Sequence, residues 1–100
     1  MHEQAYLADA GITSWIPVVL LDISLSGISF ASPTVIVSDE SRQLHFRMPG
    51  SPLLHRALIR IVYHTTSGVP LGVRVGARFE QMSADTTHAI ADFLSKPPEA

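Results

Sequence analysis

The sequence predicts a mainly β domain, with six strands and one C-terminal helix arranged as a small antiparallel barrel or sandwich. Three observations carry that expectation. Up to residue 82 the chain reads as strands, with period-two alternation cleanest in "RQLHFRM". Turn residues such as "PGSP" at 49–52 punctuate the alternating stretches. After Ser83 the apolar period becomes helical. The 100 residues form a single domain, 1–100, with room for one modest core.

The elements follow in order. "EQAYLA" (3–8) reads as a short first strand, and the turn "DAG" follows it. Residues 15–23, "WIPVVLLDI", are apolar at both parities, the pattern of a strand covered on both faces, with Trp15 in the core. Pro17 fits the opening of a strand or an edge, since it cannot donate to a ladder. "GISFA" (27–31) returns after a tight connection, making 15–31 a hairpin. "SPTVIVSDES" adds a short apolar patch and a polar turn.

In 42–48, Leu44, Phe46 and Met48 share one face, with Gln43, His45 and Arg47 on the other. In 53–65, Ala57, Ile59, Ile61 and Tyr63 take the inner parity, and Arg56, Arg60 and His64 share the outer one with Leu58 and Val62. "TSGVP" turns the chain into the last strand, 71–82, where Val73, Val75, Ala77 and Phe79 point one way. Ser83 is suited to cap a helix over 84–95 and Asp85 to its positive end. Ala89, Ile90, Phe93 and Leu94 form its apolar stripe, and Pro97-Pro98 ends it.

Charged residues make up 16% of the chain, against about 25% in typical domains, so part of the surface is left apolar. That deficit predicts a protein partner or a second copy. A net charge of −2 argues against binding a nucleic acid polymer. The absence of cysteine excludes disulfides and thiolate metal sites. The N-terminus lacks the pattern of a signal peptide, and the apolar run Ile16–Leu21 is too short for a membrane span, so a soluble cytoplasmic protein is expected. The five histidines show no compact ligand spacing, and no GxSxG elbow is present, so neither a metal site nor enzyme activity is expected.

The informative stretch is "DISLSG", Asp22 to Gly27. On the residues alone, Asp22, Ser24 and Gly27 form either a hairpin turn whose side chains satisfy backbone donors or half of a binding site. The pattern resembles the (D/N)xSxxG motif of PilZ domains. The closing "VGARFEQMSADTTHAIADFL" is similar to the end of that family, a last strand before a terminal helix. The resemblance covers residues 5–95. It implies a six-stranded antiparallel β-barrel acting as a non-enzymatic receptor for cyclic di-GMP, in motility, pilus or surface-behaviour control.

By the same resemblance, Asp22 and Ser24 would hydrogen-bond a guanine, and Gly27 would let the backbone come close. A carboxylate accepting from a guanine edge makes a charge-assisted bond. Ser24 shares the strand parity of Asp22, and Gly27 supplies either a positive φ or free space.

The family's other half-motif, an RxxxR segment that grips phosphate, is missing, because no arginine or lysine precedes Arg42. Losing two charged partners costs about 3–6 kcal/mol, or about 10²- to 10⁴-fold in affinity. "RALIR" (56–60) has the spacing but follows Asp22, and on a strand its arginines are about 13 Å apart. Two explanations stand. Either the domain binds weakly or not at all and serves as a protein-interaction adaptor, or arginines upstream of Met1 or on a partner chain make it a true receptor.

Overall fold

A computed structural model describes residues 3–8, 11, 13–36, 39–66 and 72–95. Among them, strands β1 (Glu3–Ala8), β2 (Trp15–Ile23), β3 (Gly27–Ser32), β4 (Ser41–Arg47), β5 (Leu54–Thr65) and β6 (Val73–Met82) precede helix α1 (Ala84–Ser95). Most of the turn expected in "TSGVP", parts of "DAG" and Pro97-Pro98 lie outside the described residues.

All strand pairs are antiparallel, and the order β1-β2-β3-β6-β5-β4 closes into a barrel through β1 and β4. The expected choice between barrel and sandwich is thus resolved. Closure leaves no unpaired sheet edge. Period-two alternation fills the interior, where Leu7, Leu20, Phe30, Leu44, Phe46, Ile59 and Val75 are fully buried. Burying a side chain of this size contributes roughly 1.5–3 kcal/mol, so these positions hold the barrel together.

The helix begins where the sequence predicts. Ser83 Oγ accepts a hydrogen bond from the Thr86 amide at 3.1 Å, capping the first turn. Ile90 is fully buried in the barrel core, and Ala89 and Phe93 pack against it. Thr86 Oγ1 meets His55 Nδ1 at 3.0 Å in a buried contact. The helix therefore sits against the barrel opening beside Met48 and His55, leaving the strand faces outside that opening bare.

Two expectations are corrected. Trp15 is not core: it is 38% exposed and tilts over His45 with ring centroids 4.3 Å apart. The outer face of β2 is uncovered there, with Val19 39% exposed. Tyr63 is not inward either; it is 48% exposed on the outer face. The first correction follows from where the helix docks. The second follows from a β-bulge between Ile61 and Tyr63 that reverses the alternation.

Candidate functional site

The β2–β3 turn is a compact hydrogen-bonded unit. The Ser24 amide donates to the Gly27 carbonyl at 2.8 Å. Ser24 Oγ accepts from the amides of Gly27 at 3.1 Å and Ser26 at 3.3 Å. Asp22 Oδ1 accepts from the Ile23 amide at 2.9 Å. Ser24 therefore turns its hydroxyl into the turn, while Asp22 lies on the outer face of β2. The two do not project as a matched pair along one strand, as parity alone would have it.

Gly27 is not needed for a positive φ; among the described glycines, Gly50 and Gly72 carry one. A Cβ at Gly27 would lie 2.7 Å from the Ala77 carbonyl oxygen. The residue is required because β3 and β6 approach closely at that point.

Asp22, Ser24 and Gly27 line one open cleft of about 300 Å³, shared with Ser29, Tyr63 and Arg74. That volume is at the small end for ligand sites. The pairing register explains the assembly. Asp22 faces Ser29, Ser29 faces Gly76, and Gly76 faces Tyr63, in one row across β2, β3, β6 and β5. Arg74 lies two residues along β6, and its Nη2 donates to Ser29 Oγ at a long 3.4 Å.

Ser29, Tyr63 and Arg74 escaped the sequence reading. Arg74 follows Asp22 by some fifty positions, and only the non-sequential β3–β6 pairing brings it alongside. The available signal was Gly76, a glycine inside an otherwise regular strand, which marks a bulge or a close approach.

Arg42 and Arg60 are ion-paired elsewhere, and Arg78 stands opposite Gly27 in the β3–β6 register. Arg60 bonds Glu80 Oε2 and Asp39 Oδ1, each at 3.2 Å. The Glu80 hydrogen bond, its charge and then Asp39 raise the Arg60 pKa. Glu80 itself is lowered, first by the Ser41 hydroxyl and then by Arg60. Arg42 pairs with Glu40 at 2.9 Å. Arg56 lies opposite His45 on β4, so neither arginine of "RALIR" lines the cleft.

His45 and His55 lie on opposite sides of the barrel wall, one half-exposed outside and one buried inside. Among the described residues, no three potential metal ligands gather. None of the described helices is long and apolar enough to cross a membrane.

The comparisons extend this picture. No curated protein sequence matches the chain. Among solved structures, the inhibitor of motility MotI/DgrA of Bacillus subtilis superposes with a TM-score of 0.78 at 14% identity, over 93% of this chain. That likeness concerns the fold, and this chain spans 45% of the other's length. The family model described as "PilZ domain" matches residues 4–96, which takes in the cleft, the helix and all the strands but for the first residue of β1. The chain belongs to the PilZ domain family, a family of cyclic di-GMP-binding modules.

Proposed function

We propose that the chain is a non-enzymatic signalling module of a bacterial cyclic di-GMP pathway that acts mainly as a protein-interaction adaptor. In this reading Asp22, Ser24 and Gly27 form the guanine side of the site, and this chain alone binds the dinucleotide weakly or not at all. The observation that carries it is the cation count. Arg74 is the single guanidinium among the described cleft residues, facing a ligand with two phosphate charges. One missing charged partner lowers affinity by about 10- to 100-fold.

The adaptor half draws support from the outer face of β1 and β2. Tyr6, Trp15 and Val19 are each about two-fifths exposed, an aromatic face open to a partner protein or a second copy. The Bacillus subtilis structural neighbour is an inhibitor of motility, which makes motility control a reasonable pathway output.

A second reading, a true receptor completed by arginines from upstream residues or a partner chain, is favoured by the fact that Arg74 already faces the cleft. Calorimetric titration with cyclic di-GMP separates the two. Absent or weak heat is expected for this chain. Low-micromolar binding, abolished in Asp22→Ala, would replace the adaptor reading with the receptor.

A further inference from the structure

The two arginines of "RALIR" differ in their surroundings. Arg60 is ion-paired with Glu80 and Asp39. No described carboxylate pairs with Arg56, although Asp85 lines the same hollow at the start of the helix. Arg56 is exposed on the outer face of β5, between the outward residues Leu54 and Leu58. Leu54 is itself 47% exposed. An unpaired cation between two apolar side chains is half of a contact.

The neighbouring strands extend that surface. The registers set Arg56 beside His45, His45 beside Tyr6, and Tyr6 beside Pro17, in one row across β5, β4, β1 and β2. With strands about 4.8 Å apart, the row is about 14 Å wide. Trp15 tilts over His45 and faces Ala8, which is fully buried although it takes an outward position. The ring is held against the sheet before any partner arrives, which lowers the ordering cost of binding. Outward positions of β1, of β4, of 15–19 in β2 and of 54–58 in β5 hold Arg47, Arg56, His45 and no carboxylate. That local excess of base stands out in a chain whose net charge is −2.

These features select the occupant. A closed barrel offers no strand edge, so a partner cannot add a strand and must dock through side chains. A second copy meeting this face with its own, about a two-fold axis, would set Arg47 and Arg56 among their equivalents, and like charges oppose that association. An α-helix about 10–12 Å across fits a face about 14 Å wide. Resting on the adaptor reading above, we propose that the β2–β1–β4–β5 face docks an amphipathic helix of a partner protein, its apolar stripe over Trp15 and Tyr6 and its carboxylates on Arg56 and Arg47. Trp15 is the anchor, as tryptophan commonly is at interfaces. Arg56 sets the sign of charge that the partner must carry.

Trp15 is the single tryptophan of the chain, so its emission reports on this face. The probe is a synthetic amphipathic peptide about 18 residues long, above the length at which isolated helices are marginal. Its leucine stripe is flanked by glutamates, and a control peptide carries lysines in their place. Expected with the glutamate peptide are a change in emission and amide shifts within 4–8, 15–19, 43–47 and 54–58, weakening as salt rises. Arg56→Glu should weaken the glutamate peptide by about 5-fold and strengthen the lysine peptide by a similar factor. A merely structural arginine would give no such reversal. Trp15→Ala, followed by the amide shifts, should weaken binding by about 10-fold. Native-like spectra of the free variants show that the fold survives.

The proposal is overturned if the glutamate peptide at millimolar concentration moves neither the emission nor those amides, or if the two peptides bind alike. Self-association that sedimentation detects and Arg56→Glu abolishes would give the face to a second copy, and overturns it as well. Low-micromolar binding of cyclic di-GMP would instead refute the adaptor reading, while a peptide preference that Arg56→Glu reverses would stand without it.

Discussion

The barrel has two contrasting outer faces. On the β2–β1–β4 side the register runs without a shift, from Ala8 opposite Trp15 to Glu3 opposite Leu20, and from Leu7 to Ala5 along β4. Regular alternation there presents whatever the sequence carries at outward positions, namely Tyr6, Trp15 and Val19. On the β2–β3–β6–β5 side, bulges interrupt the alternation, and the outward row becomes Asp22, Ser29, Gly76 and Tyr63. A regular face suits contact with another surface; a re-aimed row suits a small polar ligand. The two functions proposed here, adaptor and weak nucleotide site, divide along that line.

The contrast can be broken by experiment, and the largest effect is expected from Ile23→Asp, at the inward position that the bulge gives to Ile23. Burying an unpaired carboxylate there should cost about 3 kcal/mol or more. Urea unfolding measures it, and an unchanged midpoint would mean that position 23 does not face the core. Next, Gly27→Ala puts a methyl against the Ala77 carbonyl, where backbone must move. A loss of about 1–3 kcal/mol is expected, read from the same unfolding curves.

On the regular face, Trp15→Ala removes the stack on His45. It should cost about 0.5–1.5 kcal/mol and leave the cleft titrations unchanged, because Trp15 opens β2 and Asp22 lies near its other end. A changed nucleotide response would join the two faces energetically.

The smallest effect concerns pH. Burial and then the Arg56 charge lower the His45 pKa below its ordinary 6.5. The folded state thus binds that proton less readily than the unfolded chain. Its contribution to stability is fully present above about pH 6.5 and is lost as pH falls through the lower folded value. His45→Gln should flatten that part of the stability profile, measured by thermal melts in a buffer series.

The strands were legible because alternation and turn residues are local. "EQAYLA", "WIPVVLLDI" and the helix over 84–95 coincide with β1, β2 and α1. The DxSxxG turn was legible for the same reason, being a short contiguous pattern. Trp15 was misplaced because an apolar residue at an outward position reads the same whether or not something covers it. Tyr63 was misplaced because one inserted residue reverses every later side chain, and nothing in "IRIVYHT" marks the insertion. Arg74 was invisible as a site residue because its neighbours come from β3, more than forty positions earlier.

The sequence by itself determined the elements, the family and the carboxylate side of the cleft, since these follow from local periodicity and a six-residue pattern. Only the tertiary structure decided what stands opposite Asp22. Barrel closure brings β6 between β3 and β5, and two bulges select which side chains face outward there. Pairing order and register are properties of the assembled sheet, so the ring of Tyr63 and the guanidinium of Arg74 acquire their positions only once all six strands are in place.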